Sequence, residues 1–299
     1  MHVLTYLALI AWTFVFMIRH TLAVPPMPPQ QVPNFPMRHN PPQASGIKDH
    51  QVYAAGSVDS LNWKKDDILL FDSASVPDAV ITKEGTIFLY FVDAAEGHHL
   101  SVAVSKDFGK TWQKSRVLIE NKQNPGDAVD PDAVLLPDGQ TRLFYFGNFI
   151  EGAPLPPGKK HQIYSALSTD GIHFVEDKGV RIEAIGITDP DAVQIGNEWK
   201  IFVSQPMDNK NLSFSSKDGM NFTQDAEPVS TTGAISSTIK IGAGWRMYKC
   251  SRGGISSQFS IDLKAWVDEG LRLEGPVCDP SVIELPDGTF KMFYKTFKH

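Results

Sequence analysis

The stretch Asp130-Pro131-Asp132-Ala133-Val134 returns later in the chain as Asp189-Pro190-Asp191-Ala192-Val193. Two divergent copies stand on either side of this pair, Val76-Pro77-Asp78-Ala79-Val80 and Asp279-Pro280-Ser281-Val282-Ile283. Copies of one motif separated by tens of residues are typical of a fold that is built from similar units. The motif therefore predicts a repeat protein.

A second repeated element, Ser-x-Asp followed by an aromatic residue, alternates with the first. Its five copies are Ser57-Val-Asp59 with Trp63, Ser105-Lys-Asp107 with Trp112, Ser168-Thr-Asp170 with Phe174, Ser216-Lys-Asp218 with Phe222, and Ser260-Ile-Asp262 with Trp266. Ser and Asp side chains accept hydrogen bonds from turn amides. We expect a hairpin turn at each copy, with the aromatic residue folded back into the sheet layer and no catalytic role for the Asp.

Strand patterns between these two elements define the repeating unit. An aromatic strand follows each copy of the first motif, at residues 87–92, 142–146, 199–203, 245–248 and 290–294. Together with a short first strand and the two strands that flank the turn, it makes a unit of four antiparallel strands. Such units, repeated around a ring, are the blades of a β-propeller.

The count of units predicts an all-β, five-bladed β-propeller. Four blades are continuous and span residues 77–120, 130–183, 189–229 and 231–273. The chain begins with two outer strands and ends with two inner strands, so residues 51–72 and 278–297 complete the fifth blade and leave no exposed sheet edge. We therefore expect the ring to be closed by N-terminal outer strands that join C-terminal inner strands.

The N-terminal region differs in composition from the rest. Residues 3–18 form one apolar run, which is the length of a signal-peptide core, and residues 21–23 form a plausible cleavage site. We expect a signal peptide at 1–23, a Pro-rich disordered tether at 24–50, a propeller at 51–299, and a secreted, extracellular protein. An uncleaved membrane anchor is the alternative, because Arg19 follows the run and no Lys or Arg precedes it.

Charge and cysteine content exclude several classes of function. The net charge is −6 and the basic residues are scattered, so the sequence shows no basic stripe for nucleic acid or membrane lipid. The two cysteines, Cys250 and Cys278, form no zinc motif, and either a disulfide or two separate thiols fits them. The triplets that begin at Asn211 and Asn221 are glycosylation sequons, which suit a secreted glycoprotein.

The repeated Asp-Pro motif resembles the inner strands of five-bladed propellers in the furanosidase superfamily, which includes arabinanases, xylosidases and invertases. The likeness covers the chain after residue 50. The Ser-x-Asp turns resemble the Asp-boxes of sialidases and other secreted propellers. The resemblance implies a glycosidase, a hydrolase that cleaves O-glycosyl bonds in the axial funnel of the propeller.

Catalytic roles follow from that resemblance. It makes Asp78 the base or nucleophile and Asp132 the carboxylate that orients the substrate. The acid of the superfamily is usually a Glu on a later inner strand, which this chain lacks, so Asp191 is the substitute acid. Weaker candidates for the acid lie in loops: Glu96, Glu151 and Glu274.

A second group of residues is assigned to substrate binding. It contains the first aspartates of the motif copies and one loop histidine: Asp130, Asp189, Asp279 and His98. Capping of the inner strands is the competing structural interpretation of these aspartates. Within the motif, the second Asp is thus expected to carry function and the first Asp to be architecture.

The sequence therefore predicts a secreted, carbohydrate-binding hydrolase that acts on a glycan without a cofactor. A calcium ion on the axis would suit carboxylate and backbone oxygens, but no ligand spacing indicates one. We expect a monomer with no nucleic-acid partner. The alternative from another class is a non-catalytic propeller that binds carbohydrate or protein, favoured by the missing Glu.

Overall fold

The computed structural model describes residues 46–95, 97–123, 127–149, 158, 160–229 and 233–298. The predicted signal peptide, most of the predicted tether, Glu96 and Glu151 lie outside these residues. The described chain starts earlier than the expected boundary: a 3₁₀ turn spans Ile47–Asp49, and the first strand begins at His50. None of the described helices is long and apolar enough to cross a membrane.

The described residues form 23 strands, grouped in five sheets. The first three strands along the chain are β1 (His50–Ser57), β2 (Lys64–Lys65) and β3 (Phe71–Asp72). Blade 1 consists of β4 (Ala74–Ile81), β5 (Ile87–Asp93), β6 (His99–Ser105) and β7 (Gln113–Arg116). Blade 2 consists of β8 (Leu118–Glu120), β9 (Asp127–Leu135), β10 (Thr141–Phe149), β11 (Lys160–Ser168), β12 (His173–Glu176) and β13 (Ile182–Ile185).

The remaining strands complete the ring. Blade 3 consists of β14 (Thr188–Ile195), β15 (Glu198–Gln205), β16 (Lys210–Ser216) and β17 (Thr223–Gln224). Blade 4 consists of β18 (Ile235–Ile241), β19 (Gly244–Ser251), β20 (Gly254–Ser260) and β21 (Val267–Glu274). The last strands, β22 (Val277–Glu284) and β23 (Phe290–Phe297), pair with β1, which carries β2 and β3, to form blade 5.

The all-β, five-bladed prediction is confirmed, including the closure of blade 5 by the two ends of the chain. β1 pairs with β23 along its whole length, from His50 opposite Phe297 to Ser57 opposite Phe290. Three blades have four strands, and two have more, because β8 joins blade 2 in parallel and β3 joins blade 5. The five inner strands, β4, β9, β14, β18 and β22, contact one another in a closed circle.

The predicted Ser-x-Asp turns form at the end of the ring that we call the floor. In the first of them, Asp59 Oδ1 accepts hydrogen bonds from the backbone N–H groups of Leu61 (2.9 Å) and Asn62 (2.8 Å), and from the hydroxyl of Ser57 (3.0 Å). The other four turns repeat this pattern. These bonds favour the ionised carboxylate, so they hold the pKa of Asp59 far below its usual range. The turns are structural, as the sequence predicts.

Each turn also supplies the aromatic residue that packs its blade against the preceding one. Every pair is edge-on, with ring centroids 5.8 to 6.1 Å apart, which is a favoured arrangement for aromatic rings. The partner always lies on the second strand of the preceding blade. The pairs are Trp112 with Phe293, Phe174 with Tyr90, Phe222 with Phe144, Trp266 with Phe202, and Trp63 with Tyr248.

The structure also resolves two open points of the sequence. Cys250 and Cys278 form a disulfide, with their Cα atoms 4.9 Å apart. Asn211 is only 2% exposed and donates a hydrogen bond to Gly233 O, so the folded chain has no room for a glycan there. Asn221 lies exposed in a floor turn, so it is the accessible sequon of the two.

Candidate active site at the mouth of the propeller

The first strand of every blade starts at the end of the ring opposite the floor, which we call the mouth. Strand pairing aligns the five inner strands and defines two sets of equivalent residues. The mouth positions are Val76, Asp130, Asp189, Ile235 and Asp279. Two residues further along each strand lie the clasp positions, which are Asp78, Asp132, Asp191, Ser237 and Ser281.

A bulge separates the two sets. The pairing of β22 with β23 skips from Cys278 to Ser281, and the equivalent strands of the other blades are irregular at the same place. Four mouth positions have positive φ angles, between 47° and 51°: Val76, Asp130, Asp189 and Asp279. A non-glycine residue in this left-handed region is uncommon and costs free energy. In these four blades the bulge moves the mouth position out of the regular ladder, whereas Ile235 in blade 4 remains paired with Lys249.

The clasp positions form a continuous ring of hydrogen bonds between blades. Each side chain accepts the backbone N–H of the residue that follows the clasp position in the next blade. The five bonds are Ala133 N to Asp78 (2.7 Å), Ala192 N to Asp132 (3.0 Å), Thr238 N to Asp191 (2.9 Å), Val282 N to Ser237 (3.1 Å) and Ala79 N to Ser281 (2.9 Å). The last bond joins blade 5 to blade 1 and closes the ring.

The three clasp aspartates are buried within this ring. Asp78 also accepts the hydroxyl of Ser281 at 2.9 Å, and Asp191 also accepts the hydroxyl of Thr238 at 2.5 Å. Burial, opposed by these hydrogen bonds, raises the pKa of Asp78 to about 7 and of Asp191 to about 6. Burial and the charges of Asp78 and Asp191 raise the pKa of Asp132 well above its usual range.

The hydrogen bonds thus give Asp78, Asp132 and Asp191 a structural role in closing the ring. The sequence assigned architecture to the first Asp of each motif and function to the second, whereas the contacts show architecture at the second. The catalytic roles proposed for these three aspartates from the family resemblance stay predictions. The mouth positions offer a different set of carboxylates.

Three mouth carboxylates, Asp130, Asp189 and Asp279, share one electrostatic environment. Lys295 on β23 places its Nζ 2.6 Å from Asp279 Oδ2. Burial raises the pKa of Asp130 to about 6, with a further contribution from Asp279. Burial and the charges of Asp130 and Asp279 raise the pKa of Asp189 to about 8. The cluster therefore contains a carboxylate balanced by a cation and a carboxyl group that retains its proton near neutral pH.

Local contacts hold these groups in place. Asp189 accepts the hydroxyl of the preceding Thr188 at 2.7 Å, and the backbone of Asp189 hydrogen-bonds to Asp130. Burial disfavours the charge on Lys295, but Asp279, Asp189 and Asp130 outweigh this effect and raise its pKa. The substrate-binding role predicted for Asp130, Asp189 and Asp279 stays a prediction.

The other two mouth positions are apolar and covered. Val76 packs with Val92, Val129 and Phe146, and Ile47 from the start of the described chain packs on the same cluster. In blade 4, Ile235 is fully buried. The mouth therefore has apolar residues in blades 1 and 4, and a polar cluster formed by the three carboxylates and Lys295.

Two residues at the mouth were not predicted from the sequence. Lys295 lies inside an aromatic strand, Phe290–Phe297, where a half-buried lysine is itself an unusual feature. His50, which the sequence placed in the tether, lies with its Nδ1 2.8 Å from Ser75 Oγ. Burial and Lys295 lower the pKa of His50 to about 4, so its imidazole is neutral at physiological pH.

Other predicted site residues lie away from the inner strands. His98 is half-buried in the turn between the second and third strands of blade 1. Glu274 is exposed at the end of β21, the outermost strand of blade 4, so its motif is not at an inner strand. Four arginines bond to floor-turn residues, which places them far from the mouth: Arg142, Arg181, Arg246 and Arg272.

Among the described residues, one cluster has the composition of a metal site: Cys250, Cys278 and Asp279. Because the two sulfurs are bonded to each other, they are not available as thiolate ligands. The cluster therefore supports no metal chemistry.

Comparison with known proteins identifies the fold. No family model and no curated protein matches the chain. A family 43 α-L-arabinofuranosidase from Clostridium thermocellum superposes with a TM-score of 0.57 at 14% identity, covering 71% of this chain and 79% of that one. A family 117 glycoside hydrolase from the marine bacterium Zobellia galactanivorans gives 0.57 at 12% identity, covering 84% and 91%.

A third match is a family 43 β-xylosidase/α-arabinofuranosidase from a compost metagenome, solved with xylotriose. Its TM-score is 0.58 at 13% identity, and the alignment covers 74% of this chain and 84% of that one. At such identities the likeness establishes the fold alone. The chain is a five-bladed β-propeller of the kind that glycoside hydrolases of families 43 and 117 share.

Proposed function

We propose that this protein is a secreted glycoside hydrolase that cleaves a glycan bound at the mouth of the propeller. One observation carries the proposal: three carboxyl groups, those of Asp130, Asp189 and Asp279, share one cluster with Lys295 at the mouth. Asp279 is ion-paired with Lys295, whereas burial and its acidic neighbours raise the pKa of Asp189 to about 8. Glycoside cleavage uses one ionised and one protonated carboxyl group.

Each residue has a defined role in this mechanism. Asp189 donates its proton to the leaving glycosidic oxygen as the general acid. Asp279 acts from the other side of the sugar, as the base that takes a proton from water or as the nucleophile. Asp130 binds the substrate and adds the negative charge that keeps Asp189 protonated.

Secretion is part of the proposal. The disulfide between Cys250 and Cys278 supports it, since disulfides persist in oxidising compartments. The apolar run at residues 3–18 supports it from the sequence.

Hydrolysis of a panel of aryl furanosides and pyranosides tests the proposal. We expect turnover by the wild-type protein, and its loss in Asp189→Asn and Asp279→Asn variants. Asp287→Asn is the matched control, because Asp287 lies in an exposed floor turn. Turnover that survives both mouth substitutions contradicts the assignment of these residues.

A second function, glycan binding without catalysis, is favoured by a specific observation. Val76 and Ile235 occupy two mouth positions where other blades carry carboxylates. If oligosaccharides bind, if Asp130→Ala weakens their binding, and if no substrate of the panel is cleaved, the protein is a carbohydrate-binding propeller.

A further inference from the structure

The disulfide lies directly beside a mouth carboxylate. Cys250 is near the mouth end of β19 in blade 4, and Cys278 immediately precedes Asp279 at the start of β22 in blade 5. Both cysteines are half-buried. The bond therefore links two blades at the mouth, where it is within reach of a small reductant.

Both sulfur atoms contact Asp279. The backbone N–H of Asp279 donates a hydrogen bond to Cys250 Sγ at 3.0 Å. Its Oδ1 lies 3.2 Å from Cys278 Sγ and 3.5 Å from Cys250 Sγ. Because of the bulge, Asp279 has no partner in the pairing of β22 with β23. Its N–H bonds to Cys250 Sγ instead.

Blade 3 shows the same contact without a disulfide. Ser204 on β15 occupies the position of Cys250 on β19, and its Oγ accepts the backbone N–H of Ile235 at 2.8 Å. Ile235 is the mouth position of blade 4 and carries no ionisable group. In blade 5 a covalent link thus lies beside the mouth position Asp279, whereas in blade 4 the mouth position Ile235 has a single hydrogen bond to the preceding blade.

We propose that the Cys250–Cys278 disulfide is a positioning element for Asp279, and that reduction of this disulfide by a dithiol weakens the mouth site. Dithiothreitol supplies two electrons and two protons and becomes a cyclic disulfide, while the S–S bond opens to two thiols. The freed β22 segment no longer holds Asp279 against Lys295. This inference rests on the proposed function, but its first test does not.

The first test measures the carboxyl titrations without any substrate. The full chain is labelled with ¹³C at the aspartate carboxyl carbons and titrated by NMR, oxidised and after reduction, with Asp189→Asn and Asp279→Asn variants for assignment. We expect reduction to shift the titration of Asp189, because Asp279 contributes to the electrostatic field there. Superimposable titrations in the two states overturn the proposal, whether or not the protein is an enzyme.

The second test separates positioning from general stability. The double variant Cys250→Ala with Cys278→Ala should lose about 10- to 100-fold in turnover or glycan affinity. Cys250→Ser with Cys278→Ala keeps an acceptor for the Asp279 N–H, as Ser204 does in blade 3, and should recover part of this loss. Equal loss in the two double variants contradicts the role of the hydrogen bond.

A matched control accounts for the lower stability that follows from losing a disulfide. Phe174→Leu weakens the aromatic contact between blades 1 and 2, near the floor. At an equal drop in melting temperature, it should leave the mouth titrations and turnover unchanged. A loss of turnover in this control equal to that of the double variants would also overturn the proposal.

Discussion

The mouth and clasp aspartates are two residues apart in the same repeated motif, yet their surroundings differ. Asp78, Asp132 and Asp191 accept hydrogen bonds from the next blade and close the ring. Asp130, Asp189 and Asp279 influence one another and Lys295 electrostatically. Every blade uses its clasp position in the same way, whereas the mouth positions vary from carboxylate to aliphatic. The uniform set therefore maintains the fold, and the varied set is where a function specific to this protein would lie.

The largest expected effect separates activity from stability at the mouth. Asp189→Asn removes the proposed general acid, so kcat should fall by about 10²- to 10⁴-fold. Its free energy of unfolding should not decrease, since the substitution removes a carboxyl group that resists ionisation in the folded state. Steady-state kinetics and urea unfolding of the same variant test this. Unfolding of Asp189→Asn at much lower urea would place Asp189 with the clasp residues.

The reverse result is expected at the clasp. Asp78→Ala leaves the buried N–H of Ala133 and the hydroxyl of Ser281 without their acceptor. Each unsatisfied group costs about 1–3 kcal/mol, so we expect the two together to lower the free energy of unfolding by about 2–6 kcal/mol. Urea denaturation measures it, with Asp287→Ala at the floor as control. A loss of turnover with unchanged stability would instead support the catalytic role predicted for Asp78 from the family resemblance.

The pH dependence of stability should reveal the raised pKa values of both a clasp aspartate and a mouth aspartate. Burial raises the pKa of Asp78 to about 7 and of Asp189 to about 8, so the folded chain holds protons that the unfolded chain releases near pH 4. Stability from these groups is therefore greatest below pH 4 and falls as the pH rises toward 7 or 8. Each unit of pKa shift corresponds to about 1.4 kcal/mol.

Thermal melts from pH 4 to pH 9 test this prediction. Asp78→Asn should flatten the curve up to about pH 7, and Asp189→Asn up to about pH 8. The contribution of the floor aspartates to stability has the opposite pH dependence. Turn hydrogen bonds depress the pKa of Asp59 and its equivalents, so this contribution is lost only in strong acid. A melting temperature that rises between pH 5 and pH 8 would contradict the raised pKa values of both Asp78 and Asp189.

The fold could be predicted from the sequence because its signals are local and repeated. Each Ser-x-Asp turn uses side chains within a few residues of its own backbone, and the repeated copies made the number of blades countable. The extra strands β3 and β8 could not be predicted, because they form from connecting segments whose pairing depends on tertiary position.

The site was harder to predict because it depends on a bulge and on distant contacts. The alternation of residues along a strand does not reveal that Asp130 has a φ of 48° and lies in a β-bulge. The bulge places the first Asp of the motif in different surroundings from the second. Lys295 and Asp279 meet only after β22 and β23 pair, and His50 reaches the mouth only when the two ends of the chain join. The sequence identified the motif, but it did not show that its second Asp closes the ring through hydrogen bonds to the next blade.

The smallest expected effect tests whether the clasp needs a carboxylate. Ser237 is buried and accepts the N–H of Val282 through a single hydroxyl oxygen. Ser237→Ala should cost about 1 kcal/mol, because one buried N–H loses its acceptor and no charge is involved. The adjacent Ser236→Ala is the control in urea unfolding, since Ser236 is half-buried and does not occupy a clasp position.

A cost at Ser237 would show that ring closure requires only an acceptor, which serine supplies in blades 4 and 5 and aspartate in the other three. If Ser237→Ala and Ser236→Ala are equally stable, the clasp hydrogen bonds do not hold the blades together. The distinction between clasp and mouth aspartates would then depend only on the activity of the mouth variants.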